Sequence, residues 1–235
     1  MSAFLKLYEG LTREGPGESA QVSWACAQAG VPRDARILDA GCGSGADISA
    51  LLAAAPEGHV TAVDKQAVFT QKAEDAFAAD ARVNIVTGDM MGQEGPFDFI
   101  WSAGALYFIG IEAALRSLRS DLGLKGAIAF SEICWFTPNP ALEAKTFWSA
   151  YEAMTDEAGV STHIATAGYE VIAQIRLPDT AWENYYQTLE ARCDVLGLEA
   201  DDEMLQVINE TRVEMAIWRK HRAEFGYLLN VVRPI

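Results

Sequence analysis

The sequence predicts an α/β fold in which a doubly wound, mostly parallel seven-stranded sheet carries helices on both faces and a helical, aromatic-rich cap. Three observations carry that expectation. Short apolar, β-branched runs alternate with helical patterns or long connections from Ala35 to Ser131. A small-residue loop places Gly41, Gly43 and Gly45 at alternate positions directly after the first of those runs. From Cys134 onward the pattern changes to aromatic-rich helical stretches and closes on a final apolar run. Together these describe a Rossmann-like sheet whose ligands sit at the carboxyl ends of its strands.

The elements follow in order. After an arm containing Gly15-Pro16-Gly17, Ser19 to Ala29 reads as a helix leading into the strand Ala35 to Ala40, and the glycine loop then opens a second helical pattern. His59 to Asp64 reads as a strand, Gln66 to Ala79 as a helix, and Val83 to Thr87 and Phe97 to Ser102 as strands. A helix near Ile111 to Leu122 precedes a strand at Gly126 to Ser131. Pro138 and Pro140 lie near the start of the aromatic-rich region, Ala165 to Gly168 reads as a turn, and Tyr169 to Leu177 is strand-like. A long helical region holds Trp182, Tyr185, Tyr186 and Trp218, and Tyr227 to Val232 makes the last strand.

At 235 residues the chain suits one domain over 1–235, with a cofactor-binding half over 30–133 and a cap with the last strands over 134–235. The formal charge of −15 repels polyanions, so neither nucleic acid nor an anionic membrane is an expected partner. The compact basic run Arg219, Lys220, His221 and Arg222 reads as a complement to the negative end of a helix dipole. Cys26, Cys42, Cys134 and Cys193 are scattered and apolar-flanked, which suggests no disulfide framework and no zinc site. The start, Met1 to Glu9, lacks the features of a signal peptide, and no apolar run reaches membrane-spanning length, so a cytoplasmic protein is expected.

Glycine suits the loop because positive φ costs it little and a ligand can approach where no Cβ intervenes. Gly41, Gly43 and Ala46 also satisfy the dinucleotide pattern G-x-G-x-x-G/A, so a nicotinamide- or flavin-dependent oxidoreductase is an alternative. Against it, Asp39 lies two residues before the first glycine, where a carboxylate repels a pyrophosphate but attracts an ammonium. S-adenosylmethionine carries an ammonium, a carboxylate and a sulfonium and no phosphate, and suits such a site. Asp64 ends the second strand, where a carboxylate can accept from two ribose hydroxyls. In Gly88-Asp89-Met90 the carboxylate can accept from an adenine amino group while the thioether packs on the ring.

With these residues in place, the chain resembles the class I S-adenosylmethionine-dependent methyltransferases over roughly Gly30 to Ser131, including Phe97-Asp98-Phe99-Ile100-Trp101. The resemblance implies that Asp39, Gly41, Gly43 and Gly45 hold the methionine end, Asp64 and Lys65 the ribose, and Asp89 with Met90 the adenine, with Trp101 lining the cofactor. Arg13-Glu14-Gly15-Pro16-Gly17, Trp101 to Tyr107, Ser131 to Thr137 and Trp182-Glu183-Asn184-Tyr185-Tyr186 are similar to a bacterial subgroup of small-molecule methyltransferases. Members of that subgroup often carry Glu where this chain has Ala103, and the subgroup fixes neither substrate nor oligomeric state.

The expected reaction is methyl transfer from S-adenosylmethionine, with S-adenosylhomocysteine as product, to a small-molecule acceptor. A catalytically silent S-adenosylmethionine-binding protein is a second alternative. An in-line displacement gains chiefly from positioning, and a base is needed only if the acceptor must lose a proton. Tyr107 and Glu132, at strand ends, are the candidates to orient or deprotonate an acceptor. Tyr107, Trp135, Tyr185 and Tyr186 are candidate acceptor-lining residues, the last three within a segment from Trp135 to Tyr186 expected to fold over the strand ends. His59, His163 and His221 are dispersed, and no metal is expected.

Overall fold

The computed structural model describes residues 2–235 and forms one sheet from β1 (Arg36–Ala40), β2 (His59–Asp64), β3 (Val83–Thr87), β4 (Phe97–Ala103), β5 (Leu122–Trp135), β6 (Tyr169–Arg176) and β7 (Phe225–Pro234). Their order is β3-β2-β1-β4-β5-β7-β6, and β1 to β5 are parallel to one another. β7 runs antiparallel between β5 and β6. The chain begins in the middle, builds outward to β3, then returns to β4 on the other side of β1. This reversal opens a crevice beyond the carboxyl ends of β1 and β4.

The central strands are apolar on both faces, as a sheet covered on both sides requires. Ile37, Phe99, Trp101, Ala127 and Ala129 face a layer that includes α1 (Ala3–Glu9), α2 (Ser19–Ala29), α3 (Ile48–Ala54), α8 (Asp179–Gly197) and α9 (Asp202–His221). Leu38, Ile100, Ile128 and Phe130 face α5 (Ile111–Leu118) and α7 (Glu157–Thr166). α4 (Ala67–Phe77) packs on β2 and β3.

Several boundaries differ from expectation for local reasons. The helix expected to reach Leu122 stops at Leu118, because the Asp121 carbonyl accepts the Phe97 amide at 2.8 Å and Leu122 is already paired with β4. β5 and β7 exceed their expected lengths because each serves as the other's antiparallel partner from Ile128 to Trp135 and from Phe225 to Val232. The N-terminal arm contains a helix, α1, whose first turn is capped by the Ser2 hydroxyl accepting from the Leu5 amide.

The aromatic-rich segment does not act as one lid. α7 buries Val160 and Ile164, one turn apart, and covers β5 and β6 rather than the strand ends. α1, α8, α9 and α6 (Leu142–Phe147) instead pack on one another, with α9 also against β7. The basic run closes α9, and each member faces a carboxylate: Arg219 faces Glu183 and Glu190, Lys220 and His221 face Glu143, and Arg222 faces Asp179. All four cysteines are buried and free. Among the described residues no helix is long and apolar enough to cross a membrane.

The turn into β2 tests this register. An added Cβ at Gly58 would lie 2.2 Å from the Ala35 carbonyl oxygen, the same atom that accepts the His59 amide. Backbone cannot yield there as a flexible side chain would, so Gly58→Ala is expected to lose about 1 to 3 kcal/mol of stability in chemical denaturation.

Candidate active site

The loop between β1 and α3 reverses the chain through three left-handed residues, Gly41 at φ 82°, Gly43 at 53° and Gly45 at 83°. A side chain at any of them would be strained, and an added Cβ would also collide: with Ala105 Cβ at Gly41 (2.5 Å), Glu14 Oε2 at Gly43 (2.2 Å) and Ile48 Cδ1 at Gly45 (2.9 Å). The Val63 carbonyl at the end of β2 accepts both the Gly41 and Cys42 amides, at 2.9 and 3.0 Å. The Gly43 amide donates to Asp64 Oδ2 at 3.0 Å. Strand order thus fixes the loop, because β1 and β2 must be neighbours for these bonds to form.

Asp39 sits beneath the loop at 2% exposure, and its Oδ2 has no protein partner. Burial pushes its carboxyl well above the ordinary range, the charge of Asp47 adds to the rise, and Arg13 opposes it. Asp47 heads α3 and binds the Arg13 guanidinium through both oxygens while accepting from Trp101 Nε1 at 2.8 Å. Glu14 arches over Gly43, with Oε2 accepting the Ser44 amide at 3.1 Å and Oε1 buried and unpaired. Its carboxyl too is raised, chiefly by burial. The residues Leu11 to Gly17 therefore form a strap across the loop. Sequence reasoning gave Arg13, Glu14 and Asp47 no role of their own; the signal was a charged pair directly before Gly15-Pro16-Gly17 and an acidic residue heading the helix after the loop.

Asp64 lies at the rim, its Oδ1 accepting the Gln66 amide at 2.8 Å. Lys65 and Asp89 are exposed and face each other at 3.2 Å. The Met91 amide and, next, Lys65 hold the Asp89 carboxyl below its usual range. The Gly88 amide donates to the Asp64 carbonyl, and Met90 Sδ lies 3.6 Å from where a Cβ on Gly41 would stand. Asp39, the three glycines, Asp64, Met90 and Trp101 thus converge on one cradle, with Lys65, Gly88 and Asp89 along its outer edge. Ala103 shares a small crevice with Arg13, Gln21, Asp47 and Trp101, so Arg13 takes its carboxylate partner from α3.

A second group of polar side chains follows the ends of β4 and β5. Gly104 follows β4 at φ 61°, its amide donating to Ser131 Oγ at 2.8 Å, and the Tyr227 hydroxyl lies 3.1 Å from where its Cβ would be. Glu132 on β5 is 2% exposed; Oε1 accepts the Tyr151 hydroxyl at 2.7 Å and Oε2 is buried without a partner. Burial pushes this carboxyl up to about 7, against the Tyr151 hydrogen bond and the His163 charge. Tyr107, exposed, sets its ring 6.1 Å from that of Tyr151, at 75° to it. Burial and then the charges of Glu214 and Glu132 push its hydroxyl up to about 12.

The remaining expected acceptor residues divide. Trp135 packs edge-on against Phe225 at 6.0 Å, and Trp148 meets the same ring. The Tyr185 hydroxyl donates to that of Tyr8 at 3.3 Å. Tyr186 is fully enclosed and is not a wall of an open space: it shares the core stripe of α8 with Trp182 and Leu189, its ring lies against Trp182 and Trp218, and its hydroxyl donates to Glu214 Oε1 at 3.0 Å. Sequence reasoning missed Glu214, yet it was legible as a carboxylate within the helical stripe Thr211, Met215 and Trp218.

Residues 37–126 match a family model described as a methyltransferase domain. No curated protein matches the sequence. Among solved structures, the chain is similar to an S-adenosylmethionine-dependent methyltransferase from Geobacter sulfurreducens in complex with S-adenosylhomocysteine, at TM-score 0.83 and 18% identity over 99% of this chain and 98% of that one. A counterpart from Thiobacillus denitrificans, also with S-adenosylhomocysteine, matches over 100% of both chains at TM-score 0.83 and 18% identity. YjhP from E. coli matches over 99% of both at TM-score 0.85 and 18% identity. Residues 37–126 thus resemble a methyltransferase domain, and the chain as a whole shares the fold of these S-adenosylmethionine-dependent methyltransferase structures.

Proposed function

We propose that the chain binds S-adenosylmethionine in the cradle of the glycine loop and transfers its methyl group to a small-molecule acceptor held near the ends of β4 and β5. The observation that carries this reading is the pair of buried, unpaired carboxylate oxygens, Asp39 Oδ2 and Glu14 Oε1, beside the glycine loop. Unpaired buried acceptors are costly, and a ligand that brings an ammonium satisfies them, whereas a pyrophosphate meets repulsion from the same groups. This weighs against the nicotinamide or flavin alternative. Two relatives of the same fold bind S-adenosylhomocysteine, which has the amino-acid end this cradle fits.

In this reading Asp39 and Glu14 accept from the ammonium, and the loop of Gly41, Gly43 and Gly45 brings backbone close to the methionine end. Asp64 accepts from the ribose hydroxyls, and Asp89 with Met90 receives the adenine. Trp101 is held by Asp47 and closes the floor. When bound, the sulfonium supplies an activated methyl group for in-line displacement. The protein's part is to place the acceptor, exclude water and take up a proton where the acceptor carries one. Glu132 suits the last task, since a base is most effective when it titrates near the working pH.

Cofactor binding tests the cradle. Asp64→Asn is expected to weaken S-adenosylhomocysteine affinity by about 1.5 to 3 kcal/mol in calorimetry, the range for hydrogen bonds to a charged group. Unchanged affinity would place the ribose elsewhere, and tight NADH binding with no response to either adenosyl ligand would restore the oxidoreductase reading. Turnover separates an enzyme from a silent binder: release of S-adenosylhomocysteine above background with some member of a metabolite library is expected.

Glu132 makes a second prediction with a defined sign. Its folded-state value of about 7 lies above the ordinary 4.5, so its favourable contribution is complete below pH 4.5 and is lost as pH rises through 7. Groups facing it are Tyr151, Tyr107, Tyr227 and His163. Gln mimics the neutral form, so Glu132→Gln is expected to be more stable than the parent above pH 7, by up to about 3 kcal/mol, with the difference vanishing in acid. Denaturation curves across pH measure this, and turnover by the same variant is expected to fall.

A further inference from the structure

We infer that a cleft between the start of α8 and the end of α9, beside the β6 edge of the sheet, binds a small aromatic carboxylate. None of its lining residues belongs to the glycine-loop cradle, and the inference does not depend on the methyl-transfer reading.

The topology makes the space. β7 begins at Phe225 opposite Trp135, the last residue of β5, and β6 ends at Arg176 opposite Leu228. The Leu177 amide donates to the Tyr227 carbonyl and the Phe136 amide to the Glu224 carbonyl, at 2.8 and 2.7 Å, which fixes the chain on either side of the start of β7. Between these segments and the two helix ends lies a cleft of about 350 Å³, within the range of small-molecule sites. Its walls include the rings of Phe136, Trp182, Trp218 and Phe225. These rings hold one another in place: Trp182 stacks on Trp218 at 5.1 Å, and Phe225 is met edge-on by Trp135 and Trp148. Gly226 keeps the wall thin, since a Cβ there would lie 3.0 Å from the Phe136 ring. Fixed aromatic faces around an open space suit a flat ring.

The donors in the cleft call for an anion. Trp182 is 4% exposed, yet among the described residues its Nε1 meets no acceptor, and that atom lies 3.8 Å from where a Cβ on Gly226 would stand, at the cleft wall. A buried donor without a partner costs free energy that an acceptor atom on a ligand recovers. Arg222 engages Asp179 through Nε, at 3.3 Å, and among the described residues its two terminal nitrogens meet no acceptor. Arg176 lays its guanidinium over Phe136 at 4.1 Å, with Glu157 taking Nε and Nη2 from outside the lining. Two guanidinium groups against one exposed carboxylate, that of Asp179, give the lining a positive balance in a chain of formal charge −15. Charge therefore favours a carboxylate over an ammonium, and the two free nitrogens of Arg222 match its pair of oxygens.

The test uses matched probes on the full chain: phenylacetate, phenethyl alcohol, phenethylammonium and cyclohexylacetate. Calorimetry is expected to show phenylacetate binding at least about tenfold more tightly than the alcohol or the ammonium, and more tightly than cyclohexylacetate. Arg222→Gln, a change at an exposed ion pair, is expected to lose about tenfold for phenylacetate and to leave phenethyl alcohol unchanged. Trp182→Phe, which keeps a ring and removes the N–H, is expected to weaken phenylacetate as well. Saturating S-adenosylhomocysteine is expected to leave phenylacetate bound. No phenylacetate binding at millimolar concentration, an alcohol, ammonium or cyclohexyl probe that binds as tightly, or a folded Arg222→Gln variant that binds like the parent would each overturn the inference. Displacement of phenylacetate by S-adenosylhomocysteine would place it in the cradle and overturn it too, with the cofactor reading left standing.

Discussion

The structure depends on one backbone constraint, the passage from β1 into α3 through three residues of left-handed conformation. Only glycine takes that path without strain, and the path exists only because the Val63 carbonyl on the neighbouring strand receives two consecutive loop amides. Everything beyond the strand ends is referred to this loop. Glu14 lies over it, Asp39 beneath it, Asp64 and Met90 at its edge, and Ala105 stands against its first glycine. Larger residues here would collide with Ala105 and Ile48 and push the strap away.

Around that frame the charge is unbalanced by design of position rather than by overall composition alone. Asp39, Asp47, Glu14 and Asp64 gather near a single guanidinium, that of Arg13, which Asp47 already engages through both oxygens. Glu132 and Glu214 are two further carboxylates set in the interior, each accepting one tyrosine hydroxyl. Elsewhere the chain pairs its charges at the surface, as at the end of α9, where four basic residues each face a carboxylate. Unpaired acid is thus concentrated where ligands enter an open α/β sheet.

Much of this was legible in the sequence because the relevant signals are local. Strand, glycine loop and helix follow one another within about one supersecondary unit, and Asp64 and Asp89 announce themselves by lying just past apolar runs. The split of the aromatic-rich region was not legible, because α7 and α8 are both helical and both carry aromatic or apolar stripes. Which of them covers β5 and β6 and which joins α1 and α9 depends on the antiparallel insertion of β7 between β5 and β6, a long-range pairing. The same holds for Tyr186: its type suits a wall, but its place on the core stripe of α8 with Trp182 and Leu189 encloses it.

Glu214 shows how a buried polar contact can hide in an element that otherwise reads as packing. α9 buries Met204, Ile208, Thr211, Met215 and Trp218 at helical spacing, and a carboxylate at 214 interrupts an otherwise apolar surface. Packing alone would favour an apolar side chain there, since the hydrogen bond from Tyr186 offsets only part of the cost of burying the charge. The hydroxyl that meets it belongs to Tyr186, whose ring is itself fixed between Trp182 and Trp218, so the one polar contact of this seam is set by the aromatic packing of α8 against α9.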